Sequence, residues 1–112
     1  MDQEVERCQA ATDLGLTDAD LLRLIAQGDQ EAFAVLYQRY ADRLYRFALL
    51  RLREAALAED ALQETFLAVW HNSAGRFAGR SSVSTWLFGI CYHKTSELLR
   101  KRRRQISAST QP

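Results

Sequence analysis

The chain has 112 residues, of which 47% are hydrophobic and 26% are charged, enough for one small domain but not for two. No apolar stretch approaches the roughly 20 residues that span a bilayer, and the acidic start Asp2-Gln3-Glu4 does not resemble a signal peptide, so we expect a cytoplasmic protein with no signal peptide and no membrane partner. Alternating strand patterns are missing, whereas Ala, Leu, Glu and Arg dominate. The composition therefore predicts an all-α, compact three-to-four-helix domain with no sheet.

The formal net charge of +1 conceals a gradient along the chain. Residues 1–64 contain 7 basic and 13 acidic side chains, whereas residues 65–112 contain 8 basic and 1 acidic. Such segregation indicates two partners of opposite sign, and a nucleic acid is a candidate for one of them. An accidental asymmetry on a soluble helical domain is the other interpretation. It is disfavoured because five of the basic residues, 100–104, are contiguous.

The first half of the chain predicts two helices after a flexible tail at 1–16. Thr17 or Asp18 caps the first helix, and Gly28 ends it. Asp29 caps the second helix, whose inward residues recur at a spacing of three and four: Phe33, Leu36, Tyr37, Tyr40, Leu44, Phe47 and Ala48. Its outward charges are Arg39, Arg43, Arg46, Arg51 and Arg53.

The third predicted helix, which ends near 72–75, has two contrasting sides. One side is apolar and consists of Ala58, Leu62, Phe66 and Val69. The opposite side consists of Asp60, Gln63, Glu64, Leu67 and His71, and no Lys or Arg of the helix neutralises its carboxylates. Such a stripe is either a solvated face or a docking surface for a basic partner helix. An exposed acidic stripe is more often a solvated face, but the features found further along the chain favour a docking surface.

The second half of the chain predicts one loop, at 75–82, and one long helix that Ser82 caps and that runs over 83–104. The helix carries apolar residues on two sides, which is typical of a sandwiched helix or of one that reserves a face for a partner. Its core stripe is Val83, Leu87, Ile90, Cys91 and Leu98, and a second cluster is Phe88, Tyr92 and Leu99. Residues 105–112 have the composition of a linker, so the domain is predicted to span 17–104.

Catalytic and metal-binding patterns are not found in the sequence. It contains no phosphate-binding loop, nucleophile elbow or zinc-protease motif. Glu64 and His71 are seven residues apart on the polar side, unlike the inward Glu-x-x-His pairs of helical metal sites. Cys8 and Cys91 are too few and too distant for a disulfide framework or a metal site. We therefore expect a protein that is not an enzyme and that has no metal and no cofactor.

Nucleic-acid binding is indicated by aromatic residues among cations. Aromatic side chains stack on unpaired bases, contributing about 1–3 kcal/mol per base, and cations contact phosphates. One or two cations suffice to complement the dipole at a helix C-terminus, so a run of five exceeds that need. Phe77 lies in a Gly/Arg/Ser loop and is the better stacking candidate, whereas Trp86 also fits a core position.

Several motifs occur in a fixed order along residues 18–104: Gly28-Asp29-x-x-Ala32-Phe33, Leu36-Tyr37-x-x-Tyr40, Ala58-Glu59-Asp60-x-x-Gln63-Glu64, Phe77-x-Gly79-x-Ser81 and Thr85-Trp86-Leu87-x-x-Ile90. In this order, and followed by a basic helix end, they resemble region 2 of the extracytoplasmic-function group of bacterial sigma factors, in the sigma-70 family. The resemblance covers nearly the whole chain.

The resemblance implies that Asp60, Gln63, Glu64 and Leu67 bind the β′ clamp helices of core RNA polymerase. It also implies binding and melting of the promoter −10 element, with a flipped base of the non-template single strand held near Phe77. The residues expected to bind DNA are Arg76, Phe77, Arg80, Ser81, Trp86, Tyr92, His93, Arg100, Lys101, Arg103 and Arg104. An anti-sigma factor that covers the same surfaces is a further expected partner.

Two features depart from the family pattern. His93 stands where the family usually has Asn, at a position that contacts −10 bases, and its imidazole can both donate and accept a hydrogen bond. The chain also stops at the expected linker, so the sequence indicates region 2 without the −35-reading region 4. Two other functions remain open from the residues alone: a free-standing DNA-binding regulator and a helical adaptor for protein interactions.

Overall fold

The secondary structure is entirely helical in the part of the chain that the computed structural model describes, residues 15–71 and 73–110, which contains no strand. Its elements are α1 (Asp18–Ala26), α2 (Gln30–Leu52), α3 (Ala55–His71), a 3₁₀ helix (Ser73–Arg76) and α4 (Val83–Thr110). The predicted all-α class is confirmed. The predictions for residues 1–14, Cys8 among them, lie outside the described residues.

Capping residues define the helix starts as the sequence predicts. Thr17 Oγ1 accepts a hydrogen bond from the Asp20 backbone N–H at 3.0 Å, and the Asp20 carboxylate accepts one from the Thr17 N–H at 3.1 Å. This reciprocal capping box satisfies two N–H groups that have no intrahelical partner. Asp29 caps α2 by accepting from the Ala32 N–H at 3.1 Å, and Ser82 caps α4 by accepting from the Thr85 N–H at 3.1 Å.

Tight turns separate the first three helices. Gly28 follows α1 with φ +91°, a left-handed conformation that glycine adopts without steric cost. Arg53 ends α2 with φ +60°, and its N–H donates to the Leu49 carbonyl at 2.8 Å. The turn between α2 and α3 therefore consists of Arg53, a non-glycine residue in the left-handed region, and Glu54.

The core forms around α2, which packs against α1, α3 and α4. Fully buried leucines come from three helices and include Leu21, Leu44 and Leu87. Each such side chain contributes about 1.5–3 kcal/mol through the apolar surface that it removes from water. The predicted apolar side of α3 is buried as expected, and its members are Ala58, Leu62, Phe66 and Val69. The polar side of α3 is therefore directed to the surface.

Two arginines predicted to point outward from α2 instead pack against neighbouring helices. Arg39 forms an ion pair with Asp18 of α1 at 2.8 Å and is half-buried. Arg51 is half-buried against α4, where its Nε donates to Thr95 Oγ1 at 2.8 Å. The prediction was wrong at both positions because a long arginine side chain can lay its apolar stem along a neighbouring helix. Helical periodicity gives the direction of the Cα–Cβ bond only.

Other predicted core positions also differ from the structure. Tyr37, predicted to face inward, is 41% exposed, although its ring centroid lies 4.8 Å from that of Phe66. In α4, Val83, Leu87 and Cys91 are buried, but Ile90 and Leu98 are half-buried. Thr95 takes a fully buried position that the apolar pattern did not indicate, and its hydroxyl donates to the Tyr92 carbonyl at 2.8 Å.

The C-terminal helix is longer than predicted. It continues from Arg104 to Thr110, over residues that have a linker-like composition. No glycine or proline interrupts 105–110, so an established helix can propagate through residues of modest propensity. The loop predicted at 75–82 begins two residues later than expected, because Gly75 and Arg76 belong to the 3₁₀ helix. Leu16, assigned to the flexible tail, is half-buried against the core.

Candidate functional site

One face of α3 forms an exposed acidic ridge, which we define as Asp60, Gln63, Glu64 and Leu67. All four side chains are exposed, and Leu67 keeps 53% of its surface accessible. They project outward because Ala61, Leu62, Thr65 and Phe66, which alternate with them along α3, are buried in the core. His71 is also exposed at the end of the same face.

The carboxylates of the acidic ridge have no ion-pair partner among the described residues, where four other ion pairs are found. Glu64 lies at the edge of a cleft of about 370 Å³ between α3 and α4, and Lys101 and Arg104 line the opposite side. These cations do not approach Glu64 closely enough to form an ion pair. The acidic ridge therefore keeps its negative charge available to an external group.

The loop at 75–82, which we call the Phe77 loop, joins α4 through an aromatic contact. The rings of Phe77 and Trp86 meet edge to face with centroids 5.3 Å apart, and both are half-buried. Three further predicted DNA-binding residues are exposed around this pair: Arg76, Arg80 and Ser81. The structure thus brings five of the predicted DNA-binding residues into one region.

A second group of predicted DNA-binding residues lies further along α4. Tyr92 is 48% exposed, and its ring centroid is 5.9 Å from that of the exposed His93. The guanidinium of Arg51, from α2, lies over the Tyr92 ring at 4.3 Å. Sequence reasoning missed Arg51 at this site, because its position between two leucines in an arginine-rich helix gives no sign of a contact with α4.

The basic run, Arg100 to Arg104, divides between two roles. Arg100, Lys101, Arg103 and Arg104 are exposed, whereas Arg102 is half-buried. Arg102 Nη1 donates to the Leu52 carbonyl at 3.2 Å and lies 3.4 Å from a Glu54 carboxylate oxygen. A cation at this carbonyl complements the negative end of the α2 dipole. Four of the five cations therefore form no hydrogen bond or ion pair with the described residues of the fold.

Two chemical features of the described residues bear on catalysis, namely the candidate metal ligands and the cysteine Cys91. No group of three His, Cys, Asp or Glu side chains there could hold a metal ion. Burial raises the pKa of the Cys91 thiol, and its Sγ lies 3.9 Å from the Leu44 carbonyl oxygen. A protonated, buried thiol behaves as a small apolar group.

None of the described helices combines the length and the apolarity needed to cross a membrane.

Comparison with known proteins assigns these features to a family. The Sigma-70 region 2 family model matches residues 36–105, which include the acidic ridge, the Phe77 loop and the basic run. No solved structure shows a significant similarity to the chain.

Relatives with assigned names agree with this match. The chain is 33% identical over 97 residues to the ECF RNA polymerase sigma factor SigK of Mycolicibacterium vanbaalenii, covering 84% of this chain and 50% of the relative. It is 36% identical over 92 residues to SigM of Mycobacterium tuberculosis, covering 82% and 46%, and 38% identical over 74 residues to SigX of Bacillus subtilis, covering 66% and 38%.

The chain thus spans half or less of the length of these curated relatives. Its match to the family model nevertheless covers more than half of its own residues. The chain belongs to the sigma-70 region 2 family and is similar to the ECF sigma factors of bacterial RNA polymerase.

Proposed function

We propose that this chain is a non-catalytic sigma factor domain that docks on core RNA polymerase through the acidic ridge and binds the opened promoter −10 element through α4 and the Phe77 loop. The observation that carries the proposal is the exposure of the ridge, whose carboxylates form no ion pair with any residue that the structure describes. The sigma factor role itself follows from family membership.

The chemistry of the ridge favours a basic helical partner. Two carboxylates and an amide surround Leu67, so the face offers charge-assisted hydrogen bonds around an apolar centre. This arrangement suits a protein interface, in which a desolvated apolar contact is surrounded by polar groups. The clamp helices of the β′ subunit are the partner that the family resemblance implies.

The chemistry of α4 and the Phe77 loop favours single-stranded DNA. The Phe77–Trp86 pair offers aromatic faces and edges beside two exposed arginines, Arg76 and Arg80. Stacking on an unpaired base and contact with its phosphates need these two kinds of group together. Melting follows if the domain binds the opened strand more tightly than the duplex, because binding then shifts the equilibrium toward the open form. An anti-sigma factor that covers either surface is part of the proposal.

A pull-down with core RNA polymerase tests the docking half of the proposal. We expect Asp60→Ala combined with Gln63→Ala to weaken retention by at least about tenfold, because two of the three polar groups that surround Leu67 are lost. The matched control is Asp42→Ala combined with Gln38→Ala, since these residues are equally exposed but lie on α2. Retention of the control should equal that of the unchanged chain.

The same variants are then titrated with a labelled single strand of the −10 element. Binding of the Asp60/Gln63 variant to the strand should stay within about twofold of the unchanged chain, since no phosphate-binding cation is altered. Unchanged retention of this variant on polymerase would reject the docking assignment. A free-standing DNA-binding regulator would bind the strand but would not be retained on polymerase, and an adaptor would fail to bind the strand.

A further inference from the structure

A hollow of about 340 Å³ lies on the side of α4 that faces away from the acidic ridge. We call it the arginine hollow, and the residues that line it include Arg51, Tyr92, His93, Ser96, Arg100 and Arg103. Its size is at the lower end of the roughly 300–1,000 Å³ typical of small-ligand sites. Three guanidinium groups therefore converge on one small concave surface.

The charge of the arginine hollow is not offset by acidic groups. No carboxylate is among the described residues that line it. The cleft on the other side of α4 differs, because Glu64 and Glu97 line it together with Arg100, Lys101 and Arg104. A third concave surface beside the basic run is lined by Glu54 together with Lys101 and Arg102. Of these three surfaces, the arginine hollow is the one that presents cations without a carboxylate, so it is the one suited to an anion.

Arg51 is held in a fixed position at the arginine hollow. Its Nε donates to Thr95 Oγ1 at 2.8 Å, and its Nη2 donates to Ser96 Oγ at 3.2 Å. The guanidinium carbon Cζ lies over the Tyr92 ring, 4.3 Å from its centroid. Stacking uses the face of the group and leaves its edge for hydrogen bonds, and Nη1 makes no hydrogen bond within the described residues.

A guanidinium held in this way is prepared to bind an anion. Its rotamers are already restricted, so less conformational entropy is lost when a ligand binds. It is also half-buried, so its charge is screened less than that of a fully exposed arginine. Arg100 and Arg103 are exposed and can approach the same anion from α4.

We propose that the arginine hollow is a phosphate-binding site completed by Arg51 of α2, and that it takes one backbone phosphate of the promoter strand that the domain binds. The inference rests on the proposed function and adds to it a residue from outside the DNA-binding helix. The occupant is placed in the DNA backbone because Tyr92 and His93, at the rim, offer ring and hydrogen-bonding groups to the adjoining nucleotide.

Salt-dependent titration of a labelled single-stranded oligonucleotide tests the site. For a single strand, each neutralised phosphate contributes about 0.7 to the slope of log K against log salt concentration. We expect Arg51→Gln to reduce that slope by about 0.7 and to weaken binding roughly threefold to tenfold at low salt. Arg51→Lys keeps the charge and should keep the slope, while its affinity falls because the fork and the stacking are lost.

The matched control is Arg46→Gln, which removes the same charge from the same helix. Arg46 is exposed, pairs with Asp42 at 3.1 Å and does not line the hollow. Its replacement should leave slope and affinity unchanged. Helical circular dichroism and thermal unfolding establish that each variant is folded, and Arg51→Lys provides a second reading if Arg51→Gln is unstable.

Single neutral methylphosphonate linkages, placed in turn along the oligonucleotide, identify the phosphate. One linkage should weaken binding to the unchanged chain and have no such effect on Arg51→Gln, because the two changes remove the same interaction. Competition with inorganic pyrophosphate distinguishes a free anion from the DNA backbone, and we expect no displacement at concentrations that leave the ionic strength unaltered.

Several outcomes overturn the inference. An unchanged slope in Arg51→Gln would mean that Arg51 only positions Tyr92. An equal loss in Arg46→Gln would mean a diffuse effect of net charge. Efficient displacement by pyrophosphate would mean that the hollow takes a free anion. In these three cases the unchanged chain still binds the strand and the proposed function stands, whereas a failure of the unchanged chain to bind any strand would remove both.

Discussion

The acidic ridge of α3 and the basic end of α4 have opposite charges, and they also differ in how many of their charged groups form contacts within the fold. Neither carboxylate of the ridge has an ion-pair partner among the described residues, whereas Arg102 binds the end of α2 and Arg51 binds α4. An exposed charge without an internal partner can be used entirely for binding. A charge held by the fold contributes to stability, as at Arg102, or is held in position to bind, as we propose for Arg51.

Acidic and basic side chains therefore differ in how well the sequence predicts their availability for binding. Helical periodicity alone predicts that the carboxylates of the ridge are exposed and available for binding, because a short acidic side chain stays close to the direction of its Cα–Cβ bond. Periodicity does not predict which arginines are available for binding, because their long side chains can reach across to neighbouring helices. Arginine variants therefore test the distinction between binding charges and charges held by the fold more strongly than acidic variants do.

The largest expected effect comes from the exposed part of the basic run. Replacement of Arg103 and Arg104 by Gln should reduce the salt slope of strand binding by about 1.4, since each cation contributes about 0.7 on a single strand. Salt-dependent fluorescence anisotropy measures the slope. Thermal stability should change little, because both side chains are exposed and neither forms a hydrogen bond or an ion pair with the described residues.

Arg102→Gln is the matched variant within the same run, and its effects should be the reverse. Loss of the contacts with the Leu52 carbonyl and Glu54 should lower the free energy of unfolding by about 1 kcal/mol, with little change in the salt slope. Urea unfolding measures the loss. A slope change equal to that of an exposed cation would contradict the division of the run into binding and structural arginines.

The next effect concerns the Phe77 loop. Phe77→Ala should weaken binding of the −10 single strand roughly tenfold and duplex binding by less than twofold, because stacking requires an unpaired base. The ring is already half-buried against Trp86, so the loss lies in the lower part of the range for stacking. Parallel titrations with single-stranded and duplex forms of one sequence measure the ratio.

Loss of packing is the competing explanation for such a result, and tryptophan fluorescence tests it in a Trp70→Phe background, where Trp86 is the one remaining tryptophan of the sequence. Phe77→Leu retains apolar volume next to Trp86 but removes the aromatic face, so it should weaken strand binding with little change in the Trp86 emission. Equal losses for single strand and duplex would instead assign Phe77 to packing of the loop.

Helix positions and caps were predictable because their signals are local. Thr17, Gly28, Asp29 and Ser82 act within their own turns, and the structure places each cap where the sequence indicates it. The exposure of Asp60, Gln63 and Glu64 likewise follows from the period of one helix. Their contact with polymerase and the DNA contacts of α4 stay predictions, because binding partners leave no trace in local periodicity.

Contacts between distant parts of the chain could not be predicted in the same way. Arg51 and Thr95 are 44 residues apart, and Arg102 and Leu52 are 50 apart, so no spacing rule connects them. The extension of α4 to Thr110 was missed for another reason, since a polar composition was interpreted as a linker although no helix breaker occurs there.

The smallest expected effect lies at the junction of α1 and α2, and it tests whether the two charged surfaces depend on the rest of the fold. The Tyr40 hydroxyl donates to the Asp18 carboxylate, which also accepts from Arg39 at 2.8 Å. Burial, together with the hydrogen bond to Asp18, raises the pKa of Tyr40 above its ordinary value of about 10. As the pH rises, the phenol of the unfolded chain therefore ionises first. The stabilisation is fully present below about pH 10 and is lost as the pH rises through the folded pKa.

Urea unfolding at about pH 8 and above about pH 10 measures this loss. Tyr40→Phe should cost about 1 kcal/mol at the lower pH and show a smaller decline at the higher pH, because the ionising group is gone. Tyr45→Phe is the matched control, since this half-buried tyrosine lies on the same helix. Retention on polymerase and strand binding should be unchanged in both variants while the chain stays folded. A selective loss of strand binding in Tyr40→Phe would mean that α2 couples the α1 junction to the arginine hollow, and strand binding would then depend on a contact outside the charged surfaces.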